Sequence, residues 1–278
     1  MRPVPLGEQL DERFFGGKAA QLAAAVRAGL CVPAGIAIPV DFVDAVASGR
    51  DDARRELGAV FHALGPPLVA RSSAVGEDST QASFAGQHLT RLNLRSLPEL
   101  VDAVCAIRAS AHSPSAIAYR ERLGLPLEPR MAVLLQALVD SEVSGVLFSR
   151  NPLDGSDELV IEAAFGLGEA VVAGLVTPDR FRLARDGSVL ERAAGLKDVA
   201  LRTDAAGGTR VTHVPAELAH ALCLDDAKLA ALHALAVSCD HVFDGAHDLE
   251  WAFASGRLHL LQRRTLTVIP VQPAEARP

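Results

Sequence analysis

Apolar side chains recur at helical spacing in two parts of the chain, and this repeat predicts the main helices. In residues 17–29, Leu22 and Val26 are followed by Leu30, and Gly29 is placed to end the helix. In residues 225–243, five apolar or small side chains line one helical face: Leu229, Leu232, Leu235, Ala236 and Cys239. Four further helices are expected: one from residue 41, and those at 97–110, 115–122 and 215–223.

Short apolar runs bounded by turn residues predict the β-strands. The runs at 131–139, 145–150 and 159–164 are too apolar for strands with one exposed face, so we expect them at the centre of a sheet. Residues 249–254 and 257–262 are expected to form a hairpin around Ser255-Gly256. Further strands are expected at 35–38, 68–72, 88–94 and 181–184.

Strands and helices in mixed order predict an α+β fold with two lobes. The lobes meet at a break in the pattern, formed by Gly124, Pro126 and Pro129. The first lobe is expected to cover residues 1–126, and the second 127–267, opening with the strand at 131–139. The charged segment 49–56 is expected to be solvated, and the tail 268–278, which holds three prolines, to be flexible.

Composition narrows the class of protein. A net charge of −7 without a long basic run disfavours a nucleic-acid binder, and 4% aromatic residues offer few stacking platforms. The four cysteines form no CxxC pair, so we expect buried thiols in a reducing compartment and not a zinc site. No segment approaches 18 consecutive apolar residues, and the N-terminus has no apolar signal core. These features predict a soluble, cytoplasmic protein without a membrane partner.

Two segments have the composition of phosphate-binding loops. Residues 71–87 combine Arg71 with serines, glycines and other small residues directly after an apolar strand. Backbone N–H groups can approach an anion closely there, and arginine binds phosphate oxygens bidentately. Gly16-Gly17-Lys18 lies at the start of a helix, where anions are favoured, although Glu12 breaks the Walker A pattern. A solvated loop and a surface lysine are the alternatives.

The predicted hairpin carries candidates for a metal site. Strand alternation places Asp248 and Glu250 on one face, with Gln262 and Arg264 on a consistent face of the other strand. A carboxylate and an amide oxygen suit Mg²⁺ bridged to phosphates, and an arginine can neutralise a phosphoryl group in transfer. The alternative is a cross-strand pair on a solvated face.

Three other features of the sequence bear on the candidate chemistry. Gln136 ends an apolar run, where its amide either binds an adenine edge or faces solvent. Gly166-Leu167-Gly168 follows a strand, but Val171 occupies the third glycine position of a dinucleotide fingerprint, so a Rossmann site is rejected. None of the nine histidines lies in a metalloprotease or catalytic-triad motif, and we expect none to be a phosphate carrier.

Together these segments resemble a known family: the ATP-binding domain of phosphoenolpyruvate synthase, pyruvate phosphate dikinase and rifampin phosphotransferase. Besides the Arg71 segment, the resemblance rests on five blocks in the family's order: FGGKAAQLAAAVRAGLCVPAG (15–35), SGVLFSRNP (144–152), FGLGEAVVAGLVTPDRF (165–181), DLEWAF (248–253) and LQRRTLT (261–267). It implies an ATP-grasp fold, a single domain over residues 1–267 in which two lobes hold ATP between them.

The resemblance also implies cofactors and binding residues. ATP and Mg²⁺ are the expected cofactors, with Glu250 and Gln262 as the metal ligands. The expected catalytic residues, at the phosphates, are Lys18, Arg71 and Arg264. The expected nucleotide-binding residues are Lys18, Arg71, Gly86, Thr90, Gln136, Glu250, Gln262 and Arg264. Two roles stay open for Glu169 in the FGLGE block: one in the nucleotide cleft and one that is structural.

The expected activity is that of an ATP-dependent phosphotransferase, a free-standing kinase-like domain acting on a small-molecule or peptide-like acceptor. The family's histidine carrier domain and pyruvate-binding barrel have no counterpart in this sequence. The first alternative is therefore the ATP-binding subunit of a split phosphoenolpyruvate synthase-like or antibiotic phosphotransferase system, which would phosphorylate a histidine on a partner protein. A non-catalytic nucleotide-sensing module ranks last, because the expected phosphate and metal residues are all present.

Overall fold

The computed structural model describes residues 1–76, 89–122 and 129–266, and combines helices with antiparallel sheets. The chain divides into two compact units. The first unit comprises Met1–Asp140 and Arg202–Arg210, and the second comprises Ser141–Leu201 and the residues from Val211 onward. Among the helices of the described residues, none has both the length and the apolar character needed to span a bilayer.

The first unit is built on a five-stranded sheet. Its strands are β1 (Val4–Pro5), β2 (Gly35–Ile38), β3 (Leu68–Ala74), β4 (Thr90–Leu94) and β5 (Met131–Ala137). Its helices are α1 (Glu12–Arg27), α2 (Val40–Ala47), α3 (Asp51–Leu64), α4 (Leu97–Ser110) and α5 (Pro114–Arg122). The strand order is β1-β2-β5-β3-β4, so β5 is the central strand.

Alternation along the strands divides the side chains of this sheet between two faces. Leu68 and Ala70 of β3 and Val133 and Leu135 of β5 face a core that also contains buried residues of α2, α3 and α4. Helix α1 packs against β3 and β5 as well, and it contacts the next residue positions of β3, on the opposite face. The sheet of the first unit is therefore covered on both sides.

The strand β5 belongs to the first unit, whereas the sequence placed it at the start of the second lobe. Residues of β5 pair with both β2 and β3, with Leu134 opposite Ala37 on one side and Arg71 on the other. The prolines and glycine before β5 therefore interrupt one sheet and do not end it. An apolar run shows that a strand is buried, but it does not show which sheet receives it.

The charged segment 49–56, expected to be solvated, forms the beginning of α3. Asp51 and Asp52 lie in the first turn, where carboxylates complement the helix dipole. Leu57 and Phe61 follow on the buried face of the same helix. The charged side chains Asp51, Asp52, Arg54 and Arg55 are exposed, as expected, and they form the polar side of an amphipathic helix.

The second unit contains a six-stranded sheet. Its strands are β6 (Val143–Phe148), β7 (Glu158–Phe165), β8 (Asp179–Ala184), β9 (Val189–Ala193), β12 (His247–Ala254) and β13 (Arg257–Thr265). The helices of this unit are α6 (Glu169–Val172), α7 (Ala216–Ala219) and α8 (Asp226–Val242). The strands β10 (Val199–Thr203) and β11 (Thr209–His213) pair with each other, and each contains residues of both units. The strand order of the large sheet is β13-β12-β6-β7-β8-β9.

One face of this sheet is largely apolar and buried, although it also carries the buried Asp179, His247 and Arg263, while the other face is more polar and partly exposed. Leu147, Ile161 and Phe181 lie on the buried face, with Leu249 and Trp251. The intervening positions of β12, Asp248 and Glu250, are only partly buried. The sheet therefore presents one polar face on which charged side chains can act.

A buried ion pair connects β8 to two loop segments of the second unit. The carboxylate of Asp179 is paired with the ammonium of Lys197, and both side chains are fully buried. Asp179 also accepts hydrogen bonds from the backbone N–H groups of Gly195, at 2.9 Å, and Cys223, at 2.7 Å. The ammonium group lies 5.9 Å from the centre of the Phe165 ring. The TPDRF part of one family-like block thus has a structural function here.

Candidate functional site

In the first unit, three predicted binding residues lie on one face of the sheet. Arg71 of β3 is directly opposite Thr90 of β4, and Gln136 of β5 is opposite Val69, two residues before Arg71. Because cross-strand partners share a face, and alternate residues of one strand do so too, the three side chains project to the same side. This is the side against which α1 packs.

Lys18 reaches this face from α1 through a local break in the helix. Gly16 has a positive φ of 74° and interrupts the helical backbone, which resumes at Gly17. A β-carbon at Gly16 would lie 2.1 Å from the carbonyl oxygen of Ser73, so only glycine fits there. The backbone N–H of Ala19 donates to Ser73 Oγ at 3.1 Å. The Gly-Gly-Lys turn is therefore packed directly on the strand that carries Arg71.

The two cationic side chains are deeply placed. Lys18 is only 3% exposed and Arg71 only 7% exposed, so neither is the surface side chain that the alternative interpretation required. Charges in a poorly solvated environment act on one another and on ligands more strongly than charges in water. Two buried cations held by one strand and one helical turn can bind a polyanion.

Gln136 is buried, which removes the solvent-facing alternative. Its side chain is 2% exposed, and within the described residues its Nε2 group has no hydrogen-bond partner. Gly35, opposite Gln136 on β2, leaves room for this side chain, because a β-carbon there would lie 3.1 Å from Gln136 Cγ. An unsatisfied buried amide donor costs about 1–3 kcal/mol, which a ligand acceptor such as an adenine nitrogen would recover.

Gly86, the remaining predicted binding residue of the first lobe, lies outside the described residues, as does most of the segment 71–87. The described beginning of that segment is the end of β3, and strand β4 follows it from Thr90. The expected contact of the segment 71–87 with phosphate stays a prediction.

In the second unit, the hairpin forms as predicted, and a β-bulge sets its register. Ser255 and Gly256 both have positive φ angles, 49° and 72°, as a two-residue hairpin turn requires. Trp251 pairs with Leu260, but Glu250 pairs with Gln262, so Leu261 is an extra residue in β13. This bulge places Glu250 opposite Gln262, and Asp248 is opposite Arg264 in the same way.

The oxygen atoms of Glu250 and Gln262 converge on one cationic group. Glu250 Oε1 lies 3.4 Å from Arg264 Nη2. The amide of Gln262 is oriented with its oxygen toward the same guanidinium, because only this orientation pairs an acceptor with the arginine donors. The oxygen then accepts from Arg264 Nε and Nη2, each at 2.6 Å. A neighbouring carboxylate and amide oxygen also suit Mg²⁺, which typically takes one or two protein ligands and completes its shell with phosphate and water. In the part of the chain that the structure describes, no larger cluster of His, Cys, Asp and Glu is arranged to hold a metal.

Asp248 adds a second acidic group beside this pair. Burial raises the pKa of Asp248 to about 6; nearby Arg264 opposes the rise, and Glu250 adds to it. Because burial disfavours the charged form of this carboxylate, a further cation nearby would stabilise that form. The sequence placed Asp248 on the right face but gave it no role.

Behind the polar face, His247 and Arg263 form a buried support that sequence reasoning missed. His247 is fully buried, its Nδ1 accepts from Arg263 Nη2 at 3.0 Å, and its Nε2 lies 3.1 Å from Asp240 Oδ1. The Arg263 guanidinium lies 4.6 Å from the centre of the Phe243 ring. Burial, with Arg263 nearby, lowers the pKa of His247, which favours the neutral imidazole. The doubled arginine of LQRRTLT was the available signal, because neighbouring residues of a strand face opposite sides.

The Gly166-Leu167-Gly168 segment has a structural explanation. Gly166 has a positive φ of 83°, and a β-carbon there would lie 2.3 Å from the carbonyl oxygen of Leu201. The N–H of Leu167 donates to the same oxygen at 2.9 Å. This close approach requires glycine, and Glu169 begins the short helix α6 that follows.

Comparisons with known proteins identify the family. Residues 38–278 match the family model described as pyruvate phosphate dikinase, AMP/ATP-binding domain. Because the match covers most of the chain, the chain belongs to this family, which confirms the predicted resemblance. The mixed α/β architecture with antiparallel sheets fits an ATP-grasp-like fold.

Three similar proteins illustrate the relationship. The chain is 34% identical to the uncharacterized phosphotransferase YvkC of Bacillus subtilis, over 79% of this chain and 27% of that protein. It is 35% identical to a probable phosphoenolpyruvate synthase of Methanocaldococcus jannaschii, over 73% of this chain and 17% of that protein. It is 36% identical to the rifampicin phosphotransferase of Streptomyces sviceus, over 74% of this chain and 24% of that protein. The chain therefore spans about a quarter or less of the length of these relatives.

Proposed function

We propose that this chain binds ATP with Mg²⁺ and transfers a phosphoryl group from it to an acceptor. The observation that carries the proposal is the convergence of the Glu250 and Gln262 oxygens on the Arg264 guanidinium. Such a group of two oxygen ligands and one arginine suits a metal-bound polyphosphate. Membership in an AMP/ATP-binding family supports the proposal.

The two units would supply different kinds of contact to a nucleotide. From the first unit, Lys18 and Arg71 would bind phosphate oxygens, and Gln136 would bind the adenine edge. Thr90, opposite Arg71, and Gly86 would add contacts to the nucleotide. The burial of Lys18, Arg71 and Gln136 on one side of a single sheet supports these assignments.

From the second unit, Glu250 and Gln262 would hold the metal ion and Arg264 would bind the transferring phosphoryl group. Mg²⁺, when bound, would neutralise charge on the phosphates. Arg264 would be suited to bind phosphate, because the oxygen atoms of Gln262 and Glu250 already hold its guanidinium in one orientation. Phosphoryl transfer needs little covalent chemistry from the protein, so fixed charges and positioning would supply most of the catalysis.

The acceptor we propose is a small molecule or a peptide-like metabolite. Rifampicin phosphotransferase, 36% identical to this chain, is named for a small-molecule acceptor, which supports this class and makes rifampicin a sensible first probe. The second candidate is a histidine on another protein or segment, as in a phosphoenolpyruvate synthase-like system. The 35% identity to a probable phosphoenolpyruvate synthase favours keeping that candidate.

Nucleotide binding is tested by calorimetry with Mg-ATP and by thermal melting. We expect millimolar Mg-ATP to raise the melting temperature, because a ligand of the folded state stabilises that state by mass action. Absence of both a calorimetric signal and a melting shift would refute the proposal.

Catalysis is tested with ATP labelled at the β- or γ-phosphate, with and without rifampicin. Glu250→Gln should abolish turnover and weaken ATP binding less, because it removes a metal-binding charge and keeps the shape. Lys18→Ala and Arg71→Ala should each lower the rate by at least about tenfold, or 1.4 kcal/mol. Glu191→Gln is the matched control, because Glu191 pairs with Arg182 at 3.1 Å in the same sheet, away from the site. Equal rates for the Glu250 and Glu191 variants would refute the metal assignment.

The labelled products also separate the acceptors. Appearance of AMP and inorganic phosphate, or of ADP, shows which bond of ATP breaks. Phosphorylated rifampicin supports the small-molecule class. Acid-labile phosphate on an added histidine carrier segment from a relative, with no small-molecule product, would favour the second candidate.

A further inference from the structure

Two adjacent serines of β3 have opposite environments although both are buried. Ser72 projects toward the apolar core, opposite Val133, and within the described residues its Oγ has no hydrogen-bond partner. Ser73 projects toward α1, where its Oγ accepts the N–H of Ala19. Substituting each serine with alanine therefore separates the effect of losing the hydrogen bond to α1 from the effect of losing a buried hydroxyl group.

The hydrogen bond to Ser73 compensates for a missing helix cap. The helix resumes after Gly16, which has no side chain that could accept a backbone N–H of the first turn. Ala19 is the third residue of the resumed helix, the position whose N–H a capping side chain ordinarily binds. Ser73, 54 residues away in sequence, supplies the acceptor from another element.

Ser73 also fixes the other end of the same turn. Gly16 lies against the Ser73 carbonyl so closely that a β-carbon would be 2.1 Å from the oxygen. Ser73 therefore contacts the chain two residues before Lys18, at Gly16, and one residue after it, at Ala19. Because Arg71 precedes Ser73 by two positions on the same face of β3, the same strand sets the positions of both cationic side chains.

We propose that Ser73 is a positioning residue that holds Lys18 at the correct place relative to Arg71 for binding the phosphates of a nucleotide. This inference rests on the proposed function. Ser73 acts through the turn and not by touching the ligand, so its effect requires the Lys18 ammonium and concerns phosphate groups only. A residue with a purely structural effect would affect the binding of every part of the ligand.

The test compares Ser73→Ala with Ser72→Ala, each alone and combined with Lys18→Ala. Mg-ATP affinity is measured by calorimetry, and adenosine, which lacks phosphates, is measured by competition. We expect Ser73→Ala to weaken ATP binding about fivefold, as for loss of a helix cap, and to leave adenosine binding unchanged. Ser72→Ala should change neither affinity. With Lys18→Ala already present, Ser73→Ala should change ATP affinity by less than about twofold, because the two residues act as one unit.

The outcomes separate the inference from the proposed function. If the unmodified protein binds no ATP, the proposed function fails and this inference fails with it. If it binds ATP and the two serine variants behave alike, only the inference is overturned. A Ser73→Ala loss that is equal for ATP and adenosine, or that persists in full beside Lys18→Ala, overturns it as well. Should Ser73→Ala not fold, Ser73→Cys replaces it: a smaller loss specific to ATP supports the inference, and no loss overturns it.

Discussion

The buried pair of Lys197 and Asp179 allows a sharp test of how the second unit is stabilised. Replacing Lys197 with methionine keeps an unbranched side chain of similar length but leaves the Asp179 carboxylate without its cation. Asp179 retains the two backbone N–H donors, from Gly195 and Cys223. The substitution therefore removes the charge partner specifically and not the whole hydrogen-bond network.

The expected loss of stability is large. Removing one partner of a buried ion pair costs about 3–5 kcal/mol, because an uncompensated charge stays in a poorly solvated site. The two remaining N–H donors place Lys197→Met near the low end, at about 3 kcal/mol. Lys228 and Asp225 form a similar pair, three residues apart and on the surface. Lys228→Met should cost only about 0.5 kcal/mol or less.

Urea unfolding followed by the fluorescence of Trp251 is the assay, because this single tryptophan is fully buried in the same unit. Adding Asp179→Asn to Lys197→Met should recover part of the loss, since asparagine keeps an oxygen acceptor and removes the charge. Equal effects of the Lys197 and Lys228 substitutions would refute the reasoning. So would a double variant that is less stable than Lys197→Met alone.

Three further predictions follow from local geometry and burial. Gly16→Ala should lower the melting temperature much more than Gly29→Ala, because a β-carbon at Gly16 would lie 2.1 Å from a backbone oxygen, while at Gly29 it would meet nothing within 4 Å. Burial and Arg263 lower the pKa of His247 below 6.5, so the unfolded chain binds a proton that the folded chain does not. Unfolding free energy should therefore fall as the pH drops below 6.5, and His247→Gln should reduce this fall; an unchanged pH dependence would contradict the assignment. Burial raises the pKa of the Cys239 thiol to about 12, so iodoacetamide at pH 8 should modify it in urea but not in the folded protein, as mass spectrometry would show.

Elements with a local physical cause could be predicted from the sequence. The hairpin of β12 and β13 follows from its turn, because Ser255-Gly256 can adopt the two positive φ angles that a tight hairpin needs. Helix α8 follows from its apolar repeat, and the Asp225 side chain caps it by accepting the N–H of Lys228 at 2.8 Å. Both depend only on residues close together in the chain.

Elements that depend on distant partners could not be predicted in the same way. The strands β9 and β11 are mostly exposed and carry no clear apolar alternation, so nothing in their sequence marked them as strands. The assignment of β5 to the first unit depends on pairing with β2 and β3, which its apolar run does not encode. The apolar composition of one segment predicts that it is buried, whereas strand pairing depends on two segments together.

The candidate site shows the same division. The identities of Lys18, Arg71 and Glu250 could be proposed from motifs, since glycines, arginine and carboxylates suit phosphate and metal chemistry. The contact of the Gly16 turn with Ser73 joins segments 54 residues apart and could not be read from either one. The support of the hairpin by His247 was missed for a related reason, because its environment is set by Asp240 of α8.

The bulge at Leu261 determines which face of the sheet each following residue of β13 occupies. Arg263 and Arg264 are chemically identical neighbours, yet one lies with the buried His247 and the other with Glu250. Their different tasks are assigned only by the single extra residue between the turn and Gln262. If Leu261 paired with Glu250 in a regular ladder, Arg263 would lie opposite Asp248, and the two arginines would exchange faces. The local geometry of one residue, and not a difference in residue type, therefore decides which arginine faces Glu250.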